Sequence, residues 1–398
     1  PDEGAVVAVP EVREGSAVLA DLERRFAGVT ALVHSAQDPA SRADAMWSAA
    51  QGRSRIVLGG RASMFVHVPR LGAVILHSEH DASFKEQRSP FYDARVLAIA
   101  RAGAAGASAV LASATPSLAT WWRASHESWG VEEPERASER SIWPPVELLS
   151  PPRSGIPRRA AAAILEARRT SARVLVVLPR ARATRHRPGP EQVVEFITRV
   201  VPNARVERAD RPALAGRGLR EVLSADVVVA TEAALTEVER PKVEVAIAID
   251  ADSLLARPTG RAAEEAFQTL WSLGALVSGQ NRRGRMLVET DQPDHHVYQA
   301  LVRGSYRFFA ERELEERRRT GSPPFTGLVR LRAGGFDADL LERLGGLLGA
   351  EVMGPVPGPR GAEILLKLEA LDPALDPLRS IVRESGQNIS VEVDPRDW

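Results

Sequence analysis

Four short segments carry residue types that could do chemistry, and each follows an apolar run: Gly59-Gly60-Arg61, His77-Ser78-Glu79-His80, Ser113-Ala114-Thr115-Pro116 and Asp250-Ala251-Asp252. Ligands of open parallel sheets sit at the carboxyl ends of strands, and small polar residues there let a loop approach a phosphate backbone. His77 and His80 raise the question of a metal. Their only acidic neighbours are Glu79 and Asp81, and the pattern reads against a metal centre. His295 and His296 are adjacent, a spacing that rarely brings both rings to one ion, and they read as surface. From Arg153 to Arg187 there are ten arginines and one acid, Glu166. That stretch is either a solvated helix face or a patch that follows phosphates, with salt-sensitive and sequence-independent binding. Phe84, Phe91 and Tyr92 would stack on unpaired bases if exposed, and are core residues if not. Arg312, Arg317, Arg318 and Arg319 alternate with Glu311, Glu313, Glu315 and Glu316, the pattern of a salt-bridged exposed helix.

These residues need a frame, and apolar periodicity supplies one. Strands are expected at Ala5–Val9, Val29–Val33, Arg55–Leu58, Ala73–Leu76 and Ala109–Ala112, with helices at Ser16–Phe26, Ser41–Ala50 and Ala94–Ala104. Trp121–Pro157, punctuated by Pro144-Pro145 and Pro151-Pro152, reads as a linker. The alternation then resumes: strands at Arg173–Leu178, Ala204–Arg208, Val227–Ala230, Val245–Ile249 and Arg285–Glu289, and helices at Arg158–Arg168, Val193–Val200 and Ala262–Leu276. The C-terminal run has the order β-α-β-β-α-β, the split ferredoxin-like arrangement. The expected fold is therefore α/β, with two tandem parallel-sheet lobes and a small α+β domain. The expected boundaries are 1–145, 146–325 and 326–398.

The chain has 398 residues, 44% hydrophobic and 26% charged, enough apolar material for two or three cores. No apolar run approaches the roughly 18 residues of a membrane span, and there is no leader-like start, so a cytoplasmic protein without membrane contact is expected. Cysteine is absent, which excludes disulfides and thiolate-bound zinc or iron–sulfur centres. The 52 basic and 52 acidic residues balance, which argues against a uniformly basic coat but leaves room for a local basic face. Only Lys85, Lys242 and Lys367 are lysines, so phosphate contacts would fall to arginine forks. The first residue is Pro1, which suggests a piece of a longer chain.

Several segments, in order along the chain, resemble the PriA family of replication-restart DNA helicases in superfamily 2. They are Val9-Pro10-Glu11, Leu32-Val33-His34-Ser35, Gly59 to Phe65, Glu79 to Lys85, Ser113 to Ser117, Asp250-Ala251-Asp252, Arg261 to Glu264, Phe267-Gln268, Asp294-His295, Gly321 to Phe325 and Asp394-Pro395. The resemblance implies two RecA-like motor lobes and a C-terminal domain that binds DNA and the tail of single-stranded-DNA-binding protein. Arg61 and Ser63 resemble the family's backbone-contacting motif, and Phe84, Phe91 and Tyr92 its aromatic-rich loop. Thr115 and the arginines Arg180, Arg182, Arg185 and Arg187 complete the implied DNA-binding set.

The departures bear on the motor. No phosphate-binding G-x-x-x-x-G-K-[ST] loop occurs, and its place would precede Pro1. Where the family has Asp-Glu-Glu-His, this chain has His77-Ser78-Glu79-His80, so the metal carboxylate is replaced by His77 and the water-positioning carboxylate by Ser78. Glu79 sits one residue late, on the opposite side of an extended chain. The family's paired arginine fingers fall on Leu276 and Gly279. Losing one finger costs about 10³–10⁵ in rate. The family's zinc module is missing between Leu178 and Gly189. The expectation is a degenerate nucleotide site with no catalytic residues, no metal and no cofactor, in a scaffold that binds forked or single-stranded DNA. Its expected partners are single-stranded-DNA-binding protein and primosome or helicase-loading proteins. Two rivals stand beside it: an active ATP- and magnesium-dependent 3′-to-5′ helicase, and an adaptor that touches no DNA.

Overall fold

The computed structural model describes residues 3–10, 17–135, 142–153, 155–179, 187–210, 222, 224–232, 242–277, 284–347, 349–358 and 361–398. Two compact units emerge from the chain contacts. One joins Pro1–Trp129 with Leu314–Trp398, and the other is Gly130–Glu313.

In the first unit, strands β1 (Gly4–Ala8), β2 (Thr30–Val33), β3 (Ile56–Gly59), β4 (Leu71–His77) and β5 (Ser108–Ala112) form a parallel sheet in the order β2-β3-β1-β4-β5. Alternate residues of β1 face opposite cores, as a two-residue repeat requires. Val6 and Ala8 pack with Ala49 from helix Pro39–Ala50 and with Ala94, Ala98 and Ala102 from helix Ala94–Ala105. Val7 and Val9 pack with Leu19 of helix Ala17–Arg25. Small alanines on the helices let them lie close to the sheet, and the Asp38 side chain caps Pro39–Ala50 by accepting from the amides of Ala40 and Ser41. The sheet turns tightly at Gly59, where a Cβ would stand 2.3 Å from the Val33 carbonyl oxygen. Only glycine lets the Gly-Gly-Arg turn start there.

The same unit holds the C-terminal domain. Its strands are β12 (Gly327–Ala333), β13 (Glu351–Gly358), β14 (Gly361–Leu368) and β15 (Ser390–Val393), ordered β13-β14-β12-β15 with every pair antiparallel. Helices Ala338–Gly345 and Leu371–Glu384 bury Leu340, Leu344, Ala374 and Leu378 against this sheet. This is the expected split β-α-β arrangement.

The second unit contains β6 (Val146–Leu149), β7 (Val174–Leu178), β8 (Val206–Ala209), β9 (Val227–Thr231), β10 (Val245–Ala248) and β11 (Arg285–Glu289), ordered β6-β11-β10-β7-β9-β8 and parallel throughout. Its central strands are apolar on both faces, as a covered parallel sheet demands.

The stretch expected as a linker is partly built into these lobes. Leu118–His126 is a helix, and Val146–Leu149 is β6, an edge strand beside β11. Proline cannot donate to a ladder, but Pro144 and Pro145 stand just before an edge strand, where no donor is needed. Trp143 anchors this segment. It stacks on Trp271 at 3.9 Å between ring centroids, and its Nε1–H donates to the Leu301 carbonyl at 2.8 Å. Helix Ala262–Gly274 ends in a glycine whose added Cβ would lie 2.5 Å from the indole. Trp143→Ala should therefore destabilise the second lobe by about 3 kcal/mol, the usual cost of deleting a packed aromatic. A urea melt of the variant beside the parent measures it.

Candidate functional site

The first candidate site lies at the carboxyl ends of β4 and β5. Strand β4 stops at His77, which is exposed, and Ser78 turns the chain with φ +53. Non-glycine residues rarely hold that conformation, so the surroundings must fix it. The turn aims Glu79 inward, where it is fully buried. Its Oε1 accepts from the Ser117 amide at 2.5 Å, and its Oε2 accepts from the hydroxyls of Ser117 and Thr120 at 3.1 Å each. The Arg95 guanidinium stands 4.0 Å from Oε2 and also donates to the Glu79 carbonyl at 3.2 Å. Burial raises the Glu79 pKa, and Arg95, Ser117 and Thr120 pull it back. Glu79 thus ties the end of β4 to the start of helix Leu118–His126. His80 Nδ1 shares a 2.6 Å hydrogen bond with Ser113 Oγ, which also accepts from the Thr115 amide. These bonds lock the two strand ends together.

The residues expected at a DNA surface separate into two groups. Ser63 is fully buried and its hydroxyl donates to the Gly60 carbonyl. Thr115 is buried at 1% exposure, and Phe84 is buried at 0% in the first-lobe core. The side chains of all three are turned away from solvent in this arrangement. Arg61, by contrast, is partly exposed. It donates to Glu86 Oε2 at 3.1 and 2.8 Å and to the Ser83 carbonyl at 2.8 Å, so Glu86 already offsets its charge.

Phe91 and Tyr92 are half-buried at the surface, with Phe91 held at φ +51. Beside them lies Phe65, 60% exposed, edge-on to Tyr92 with ring centroids 5.0 Å apart. Phe65 was not among the residues singled out from sequence. The signal was a large aromatic closing the short turn Arg61–Phe65, where no strand or helix period asks for one. Arg101 holds that turn by donating to the Met64 carbonyl at 2.8 Å and the Val66 carbonyl at 2.5 Å. Arg61, Phe65, Phe91 and Tyr92, with exposed Arg88, form the candidate nucleic-acid surface of the first lobe.

The second lobe has its own polar strand ends. Arg187 reaches Asp250 at 3.1 Å, Glu289 at 3.4 Å and Asp291 at 3.6 Å. Asp252 accepts from Thr290 Oγ1 and the Tyr298 hydroxyl, both at 2.6 Å, and from the Asp291 amide at 2.7 Å. Arg187 therefore serves an acidic cluster rather than standing clear for phosphate. Within the arginine-rich stretch, Arg159 pairs with Glu147 and Arg168 with Asp226, while Arg153, Arg158 and Arg169 are exposed. Arg180, Arg182, Arg185 and Gly279 lie outside the described residues. Leu276 is 4% exposed and packs inside, its carbonyl accepting from the Val243 amide. His295 and His296, expected at the surface, are half-buried: His296 Nε2 lies 2.8 Å from Glu313 Oε2, and His295 caps helix His296–Arg303. Among the described residues no group of three or more His, Asp or Glu side chains is placed to hold a metal ion. No described helix is long and apolar enough to cross a membrane.

Burial pushes the Glu289 carboxyl up to about 7, against the pull of Arg187 and with the repulsion of Asp250 and Asp252. A raised carboxyl binds its proton more tightly in the folded chain. Its stabilising contribution is thus complete below pH 4.5 and is lost as pH rises to about 7. At about 1.4 kcal/mol per unit the span is roughly 3 kcal/mol. Glu289→Gln should flatten this slope, matching the parent within about 1 kcal/mol at pH 5 and exceeding it above pH 7, as urea melts at the two pH values would register.

No protein-family model matches the chain. Curated relatives do. The chain is 25% identical to the replication restart protein PriA of Synechocystis sp., over 99% of this chain and 59% of that protein. It is 25% identical to PriA of Bacillus subtilis over 81% of this chain and 48% of that protein, and 23% identical to PriA of Haemophilus influenzae over 98% and 66%. It spans about half to two thirds of the length of these relatives. Among solved structures, RecG bound to a three-way DNA junction aligns over 79% of this chain and 40% of that one, with a TM-score of 0.48 and 15% identity. Over 81–99% of its own length the chain is similar to these PriA replication restart proteins.

Proposed function

We propose that this chain is a replication-restart scaffold that binds forked or single-stranded DNA through its first lobe and does so without hydrolysing ATP. The observation that carries the reading is the fate of Glu79. It is the only acid in the His77–His80 segment, and its carboxylate is spent inside the fold on Ser117, Thr120 and Arg95. At this strand end a motor needs one carboxylate for magnesium and one to place water. By the resemblance to PriA, His77 and Ser78 fall at those positions. Leu276, buried in the second lobe, supports the same reading, because an apolar side chain cannot offset charge on a transferring phosphoryl group.

DNA binding rests on Phe65, Tyr92 and Arg61. Exposed aromatic faces stack on unpaired bases whatever their sequence, at about 1–3 kcal/mol per base. The similarity to the replication restart protein PriA supports a place at restarting forks. The partners we propose for it there are single-stranded-DNA-binding protein and helicase-loading proteins. The protein would then mark a fork and gather other factors while another enzyme supplies the motor.

Titration of labelled oligothymidylate at two salt concentrations tests this. Affinity should fall as salt rises. Phe65→Ala and Tyr92→Ala should each weaken binding about 5- to 100-fold, with unfolding midpoints near the parent's. An absent response at both salt concentrations would favour an adaptor that touches no DNA.

A further inference from the structure

Three consecutive residues after β4 reach three different places. Phe84 enters the first-lobe core. Lys85, 5% exposed, points the other way, and its ammonium donates to the carbonyl of Val393, the last residue of β15, at 2.6 Å. Glu86 binds Arg61, and its amide donates to the Tyr92 carbonyl at 2.9 Å. One short segment therefore touches the core, the C-terminal domain and the aromatic surface.

A buried ammonium requires counter-charge. Burial holds Lys85 below the usual lysine range, while Asp394, Asp93 and Glu392 favour its charge and Arg95 opposes it. Asp93 is shared: its carboxylate also takes Arg95 at 2.6 Å. Lys85 and Asp93 face each other across an antiparallel bridge, so both ends of the segment that carries Arg88, Phe91 and Tyr92 are clamped together. Arg95 continues the chain of contacts to Glu79. On the C-terminal side, Asp394 turns the backbone with φ +49, and its amide donates to the Leu328 carbonyl of β12 at 2.8 Å. The Val393 carbonyl is thereby held in place for Lys85.

We propose that Lys85 is a positioning residue that couples the seating of the C-terminal domain to the arrangement of residues 84–93, so that a single strand of DNA is bound well only while that domain is docked. The coupling rests on the DNA-binding reading above. Lys85 itself touches no DNA. It acts through Glu86 and Asp93 on Arg61 and Tyr92.

Hydrogen exchange and oligothymidylate titration on the whole chain decide it, with Lys85→Met and Lys85→Arg beside the parent. Lys85→Met should lose exchange protection both in β15 and in residues 84–93, and should bind oligothymidylate about fivefold or more weakly. Lys85→Arg keeps the charge and a donor, and should restore most of both. If Lys85→Met loosens β15 while protection of residues 84–93 and DNA affinity stay at parental values, the coupling is overturned. If the parent binds no oligothymidylate, the DNA reading fails, and exchange in residues 84–93 alone decides: lost protection supports the coupling and parental protection refutes it.

Discussion

A carboxylate buried at the end of a strand is the constraint on which the first lobe depends. An ionised carboxylate away from water is costly unless charge and hydrogen bonds surround it. Glu79 is surrounded: a backbone amide, two hydroxyls and a guanidinium converge on it from two separate helices. The helix Leu118–His126 begins where it does because Ser117 serves both Glu79 and the amide of Thr120. Arg95 sits between Glu79 and Asp93, and Asp93 stands beside Lys85. Glu79 is thus a structural tie between the end of β4 and two helices.

The fold was legible because its signals are local. Apolar runs such as Val174–Leu178 and Val245–Ala248 cannot be mistaken in a parallel sheet, and the alternation of such runs with alanine-rich helices leaves few other topologies. The Val146–Leu149 strand was missed because its two flanking prolines look like punctuation, and only its position at the sheet edge makes them tolerable. Side-chain direction was harder to read. The one-residue displacement of Glu79 predicted a change of face, and the structure turns it inward. For Phe84, Ser63 and Thr115 the sequence offered no way to tell a surface loop from a turn folded into the core. Phe65 was hidden for the converse reason: it closes a motif whose polar residues attract attention, yet its own side chain is exposed to solvent.

Charge in the second lobe is partly spent within the fold. Of the ten arginines that read as either a solvated face or a phosphate track, Arg159, Arg168 and Arg187 are matched by carboxylates distant in sequence, while Arg153, Arg158, Arg169 and Arg173 are exposed. Arg187 in particular holds a set of acids that would otherwise repel one another, and burial, with the neighbouring Asp250 and Asp252, pushes the Glu289 carboxyl up to about 7. The first lobe reaches its candidate DNA surface differently, with few charges and with aromatic edges held by backbone turns.

The central claim is that the strand end which would hold magnesium and water no longer does so. The most direct measurement is ATP hydrolysis by the purified chain, with and without a branched DNA duplex, beside a control preparation that excludes contaminating ATPases. The account predicts turnover at the level of the control and no response to DNA. Hydrolysis that accelerates when the branched duplex is added would contradict it.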